Sequence, residues 1–126
     1  MDDLLMYVGL KAFIEKDGKV LILNHSKGGY DLSGGKLKHL SDFEAELKRE
    51  VKEETSLDVI TGDPCVIWKH PYASKQILLI GFSCKWQNGS LALSDEHVGY
   101  EWIDENDSEH LPSEWRNPLL KYFKNK

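Results

Sequence analysis

Apolar and polar positions along the chain alternate between strand-like and helix-like spacing. Met6 to Ile14 is apolar and rich in large side chains, Asp17-Gly18 is a hairpin turn dipeptide, and Lys19 to Asn24 resumes the apolar run. That order predicts a β-hairpin. Ser26 to Gly29 reads as a loop, and Tyr30-Asp31-Leu32 as a short extended piece that delivers the chain into Gly34-Gly35. From Asp42 the period becomes helical. At about 100° of rotation per residue, Phe43, Leu47, Val51 and Thr55 share one stripe, with Lys48 and Lys52 on the far side. Ser41 followed by Glu44 has the spacing of a capping box, which would start the helix at Asp42.

Beyond the helix, Leu57 to Ile60 and Pro64 to His70 read as two extended pieces, and Gln76 to Trp86 as a long strand rich in Ile, Leu and Phe. His70 to Lys75 is expected to be the hairpin loop between them, and Asn88-Gly89 a further turn. Gly99 to Ile103 is a strand, and Asp104 to Leu111 an acidic connection with a helical turn. Pro112-Ser113 opens a last helix whose apolar face holds Trp115, Leu119, Leu120 and Phe123. Strands broken by one early and one late helix predict a mixed sheet with helices on its faces.

Composition narrows the picture. At 126 residues, with 40% hydrophobic and 29% charged positions, the chain is expected to form one domain spanning 1–126. A net charge of −5 leaves no general basic footprint for a nucleic-acid duplex or an anionic membrane. A small anionic substrate would need a metal to bridge it. Cys65 and Cys84 lack metal-ligand spacing and fall in apolar runs, which fits buried free thiols. The start MDDLLMYVG is acidic and unlike a signal peptide, and no apolar run has the length of a membrane span, so the expected compartment is the cytoplasm.

The charged helix carries the candidate chemistry. Glu46, Glu50, Glu53 and Glu54 fall within roughly a 100° arc beside the apolar stripe. Like charges at that spacing repel, and a hard divalent cation with oxygen ligands would remove the repulsion; Mg²⁺ is typically held by one or two carboxylates together with waters and substrate phosphates. A solvated face fits the same spacing, with Arg49 pairing Glu46 or Glu53 and Glu44 pairing Lys48. Gly34-Gly35 just upstream lets the backbone approach a ligand with no Cβ in the way.

Gly35, the run Arg49-Glu50-Val51-Lys52-Glu53-Glu54, and Leu57 together resemble the signature box of the Nudix hydrolases, G-x5-E-x7-R-E-U-x-E-E-x-G-U with U aliphatic. Ser41 stands where that box has its first glutamate and Ser56 where it has its last glycine. Leu40 replaces a loop glycine and Ser33 a proline. The resemblance implies an α/β/α sandwich around a mixed sheet. It also implies Mg²⁺, or Mn²⁺, held by Glu50, Glu53, Glu54 and the Gly35 carbonyl, with Arg49 orienting a glutamate and the first glutamate of the box supporting the loop.

By the same resemblance Glu53 and Arg49 serve catalysis, and Glu96 is the candidate carboxylate outside the box, with Asp95 behind it. A plain polar turn fits Asp95-Glu96-His97 equally well, with His97 as a loop histidine. Tyr72 would stack a base or simply cover its hairpin. The implied activity is Mg²⁺-dependent hydrolysis of a nucleoside diphosphate-linked substrate, a nucleoside triphosphate or dinucleoside polyphosphate. Alternatives are an ADP-ribose or nucleotide-sugar hydrolase, or a catalytically silent nucleotide-binding module of the same fold. A family member that isomerises an isoprenoid diphosphate is a further reading, but no cysteine lies near the box to support it.

Overall fold

A computed structural model describes residues 5–38, 42–72 and 75–126, with Tyr72 as backbone only. In chain order the elements are β1 (Tyr7–Lys16), β2 (Lys19–His25), β3 (Tyr30–Asp31), β4 (Gly34–Lys36), α1 (Phe43–Thr55), β5 (Asp58–Tyr72), β6 (Lys75–Asn88), β7 (His97–Ile103), a 3-10 turn (Glu105–Asp107) and α2 (Ser113–Lys124). The strands form one mixed sheet in the order β3-β2-β1-β6-β5, with β4 added on β1 and β7 on β2. β1 and β6 are parallel, and the other pairs are antiparallel.

The first hairpin turns where the sequence predicts. Asp17 and Gly18 both have positive φ, 53° and 78°, the pairing that a two-residue turn between right-twisted strands needs. Its strands then part after Glu15↔Val20 and Lys16↔Lys19. β1 goes on to pair with β6 and β4, and β2 with β7 and β3.

Strand alternation sorts the apolar side chains onto two faces. Leu10, Ala12 and Ile14 of β1 and Leu21 and Leu23 of β2 join Leu47 and Val51 of α1 in one core. Phe13 of β1 and Val20 and Ile22 of β2 point the other way, to Trp115, Leu119 and Tyr122 of α2. The result is an α/β/α sandwich. Each fully buried Leu, Ile or Phe contributes about 1.5–3 kcal/mol.

α1 begins one residue later than expected. Its N-cap is Asp42, whose Oδ1 accepts from the Glu44 amide at 3.0 Å and the Ala45 amide at 3.4 Å, and a carboxylate there also suits the positive end of the helix. Ser41, the expected cap, lies outside the described residues. At the other end Ser56 takes the left-handed conformation, φ 65°, that a glycine would occupy with less strain. Its hydroxyl donates to the Ala92 carbonyl at 3.1 Å.

β5 is one long strand where two pieces were expected. Register shifts between Thr61 and Val66 absorb Gly62-Asp63-Pro64 as bulges, so the pairing with β6 survives the proline at the sheet edge. It runs on to Tyr72↔Lys75, which shortens the expected loop from His70 to Lys75. Cys65 and Cys84 are both free, and burial pushes the Cys84 thiol up to about 12. Among the described residues no helix is long and apolar enough to cross a membrane.

Leu47 is fully buried under the sheet while Asp42 is exposed. Leu47→Ala is expected to lower unfolding free energy by about 2–5 kcal/mol, and Asp42→Ala by about 0.5–2 kcal/mol. Urea denaturation of the two variants checks the order; equal losses would mean that α1 is not held by its buried face.

Candidate active site

The chain from Ser33 to Lys38 runs antiparallel to α1, and three glutamates one turn apart meet it. Glu54 Oε1 accepts from the Gly34 amide at 2.7 Å and from the Ser33 hydroxyl at 2.9 Å. Glu50 lies under Gly35 so closely that a Cβ there would stand 3.0 Å from the carboxylate. Glu46 Oε1 accepts from the Lys38 amide at 3.3 Å. Gly34, at φ 146°, is the residue that turns its amide toward Glu54, and a Cβ on it would overlap the Leu10 carbonyl. Burial holds the Glu54 carboxyl above its ordinary value, only partly offset by the Gly34 amide and the Ser33 hydroxyl.

Glu53 stands off this line. Its side chain is 57% exposed and ion-paired to Arg49 Nη1 at 2.8 Å, while Arg49 Nη2 lies 3.4 Å from Glu50 and 3.9 Å from Glu46. The guanidinium is thus bracketed by three carboxylates of its own helix, which raise its pKa, the Glu53 hydrogen bond first.

A second segment reaches the same place. The Ala92 amide donates to the Thr55 carbonyl at 2.9 Å and the Ser94 amide to the Glu54 carbonyl at 3.0 Å, which lays residues 92–97 across the end of α1. Oxygen or nitrogen ligand atoms of Glu54, Glu96 and His97 consequently lie within 4.8 Å of one another. His97 is the first residue of β7 and its side chain is fully buried, so it is not the loop histidine expected. Its Nε2 lies 3.8 Å from Asp31 Oδ2, an ion-pair distance too long for a hydrogen bond. Asp31 raises the His97 pKa against burial. Burial pushes Asp31 up, but the Lys11 ammonium at 2.9 Å and His97 outweigh it and hold the carboxyl below its ordinary value.

Beside these carboxylates opens a cavity of about 340 Å³ lined by Lys11, Tyr30, Asp31, Lys36, His70 and Trp115, with Gly35 on its wall. The His70 and Trp115 rings pack with centroids 4.4 Å apart, and burial holds His70 below its ordinary pKa, with Lys11 adding to the effect. Lys11 is engaged by Asp31 and the Leu32 carbonyl. Lys27, also on the wall, and Lys36 add positive charge near its mouth. One aromatic wall beside lysines can take a flat ring and an anionic chain together.

Of the sequence candidates, the fold sets Gly35 against Glu50 and brings Glu54 to Glu96 beside His97, sets Glu53 and Arg49 as an outer pair, and keeps Asp95 in an exposed turn. Tyr72's side chain lies outside the described residues. Lys11 and Asp31 were missed, His97 was read as a loop histidine, and Glu46 was read only as one of the arc of four glutamates. A lysine between Leu10 and Ala12 of an otherwise buried strand, and a glutamate on the same helical line as Glu50 and Glu54, were the available signals. Oxygen donors gathered about a buried carboxylate with a raised pKa fit a hard divalent cation.

The family model described as NUDIX domain matches residues 7–124. No curated protein matches the sequence. Solved structures do. A MutT protein from Methanosarcina mazei is 26% identical, with 94% of this chain and 93% of that chain covered at a TM-score of 0.84. An ADP-ribose pyrophosphatase from Streptococcus suis is 20% identical over 94% and 90%, at 0.78. An Ap4A hydrolase from C. elegans is 20% identical over 94% and 95%, at 0.75.

The raised pKa of Glu54 has a consequence for stability. Between the unfolded value and the higher folded one, the native state binds more protons, so stability falls as pH rises and the ionised group opposes folding at neutral pH. Glu54→Gln keeps an oxygen for Gly34 and Ser33 and removes the charge. In metal-free buffer it is expected to melt higher than wild type at neutral pH, with the gain shrinking as pH falls into the carboxylate range. Calorimetric melting across pH checks this; a variant less stable than wild type at neutral pH would refute it.

Proposed function

The chain belongs to the Nudix hydrolase family, and we propose that its substrate is a nucleoside diphosphate-linked compound cleaved with Mg²⁺, or Mn²⁺ in its place. It is a hydrolase acting on phosphoric anhydride bonds. The observation that carries the substrate reading is the adjacency of the glutamate line to a cavity with an aromatic wall and lysines at its mouth. A base against Trp115 and His70 sets its phosphates toward Gly35 and the carboxylates. That favours a nucleoside triphosphate or dinucleoside polyphosphate. Cytoplasmic residence, where two free thiols persist, completes the reading.

Glu50, Glu53, Glu54 and the Gly35 carbonyl would hold the ion, with Glu96 beside them. Bound there, Mg²⁺ supplies charge neutralisation for the diphosphate and Lewis acidity. The chain's own groups do the rest. Ser33 and Gly34 fix Glu54 through one oxygen, so its planar carboxylate has a single orientation. Arg49 fixes Glu53 and leans on Glu50. Glu96 accepts the proton of the attacking water as its oxygen bonds to phosphorus and the bridging oxygen leaves with the departing phosphate. Lys27 and Lys36 hold the anionic chain in line.

Purified protein with Mg²⁺ is expected to hydrolyse members of a panel of nucleoside triphosphates and dinucleoside polyphosphates faster than ADP-ribose and nucleotide sugars. Glu53→Gln keeps shape and loses charge, so kcat should fall by more than the roughly 10–100-fold that loss of an outer partner costs. Unchanged turnover in that variant at saturating Mg²⁺ would remove Glu53 from the ligand set. Binding of these compounds without any product would support the silent module instead.

A further inference from the structure

Glu46 is a buried carboxylate of α1 to which the reaction as described gives no task. Its side chain is 5% exposed, its Oε1 takes the Lys38 amide at 3.3 Å and lies 3.9 Å from Arg49 Nη2, and its Oε2 is buried without a hydrogen-bond partner among the described residues. Keeping a carboxylate there is costly. Removing an ionised group from water disfavours folding unless hydrogen bonds and opposite charge offset it, and an apolar side chain of the same size would fill the space with no such penalty. Nothing in the packing of α1 needs the charge, since Leu47 and Val51 already supply its core face.

The two groups that Glu46 does touch both belong to the catalytic framework. Lys38 lies in the segment that leaves β4 after Gly35, and Arg49 is the residue that holds Glu53 and Glu50. Glu46 is also the first of the three glutamates, at i, i+4 and i+8, that meet this segment in order, as Glu54 does Ser33-Gly34 and Glu50 does Gly35. The chain has a serine at position 41, where the box would put a supporting glutamate in the same loop. We propose that Glu46 is a positioning residue that stands in for that missing carboxylate: it pins the Lys38 amide, just after β4, to α1 and braces Arg49 at Nη2 while Glu53 holds Nη1. This rests on the hydrolase reading above.

Glu46→Met fills the volume and removes the charge. The expected result is a variant that melts at or above the wild-type temperature yet has kcat lowered by about 10–100-fold, with KM for the nucleotide near wild type because the cavity wall is untouched. Ser41→Glu alone should leave turnover near wild type, and Ser41→Glu combined with Glu46→Met should restore most of the lost kcat. Wild-type kcat in Glu46→Met, or no recovery in the double variant, overturns the proposal. If the unmodified chain hydrolyses nothing in the panel, the function reading fails by itself, and amide exchange then decides the positioning role. Faster exchange at Lys38 N–H in Glu46→Met supports it; unchanged exchange overturns it.

Discussion

A single buried carboxylate joins the sheet to its first helix. Glu54 takes the Ser33 hydroxyl and the Gly34 amide on one side, and its own carbonyl takes the Ser94 amide on the other. Three stretches of chain far apart in sequence therefore meet at one residue. Hydrogen bonds to a charged acceptor are worth about 1.5–3 kcal/mol each in a buried setting, yet burial still leaves the carboxyl with a raised pKa. The joint is strong in geometry and only partly compensated in charge, which is the condition a cation would relieve.

Glycine is required here by contact as well as by conformation. At Gly34 the positive φ and the Leu10 carbonyl each exclude a side chain, and at Gly35 the Glu50 carboxylate occupies the space a Cβ would need. The helix can approach β4 closely enough for carboxylate-to-backbone contact only because both residues lack one. Its approach is fixed by the adjoining stripe of Leu47 and Val51, buried against Leu10, Ala12 and Leu21. Apolar packing along one line of α1 thus sets the carboxylate distances along the line beside it.

Much of this was legible in the sequence because period and spacing are local. The hairpin at Asp17-Gly18, the Leu47, Val51 and Thr55 stripe of α1, the last helix and the glutamate-rich edge were readable from residues a few positions apart, whereas Phe43, expected on that stripe, is exposed. What escaped was set by tertiary contact. The cap is the one local exception: Asp42 and Ser41 are both good caps, and it is the Asp42 carboxylate that the Glu44 and Ala45 amides meet. His97 read as part of a polar turn because nothing local announces that Ser94 bonds to Glu54 and carries the histidine inside. An arc of four glutamates did not reveal that Glu46, Glu50 and Glu54 face the backbone while Glu53 turns out to Arg49. The Gly62-Asp63-Pro64 bulge looked like a strand end, since a proline at a sheet edge and a proline after a strand are the same letter.

The parallel register of β1 on β6 sets the order in which the chain can acquire structure. Tyr7 pairs with Ile77 and Glu15 with Lys85, so on that side the central strand finds its partner only across a long stretch of chain. Its early neighbour β2 touches it at two residue pairs only. Leu10, Ala12 and Ile14 on one face take their cover from α1, while Phe13 on the other takes it from the later α2. A nucleus built on such distant contacts forms slowly, because the loop must close before the pairing can form. The architecture that gives β1 the nearby β4 on one edge therefore leaves its other edge to a pairing that waits for that closure.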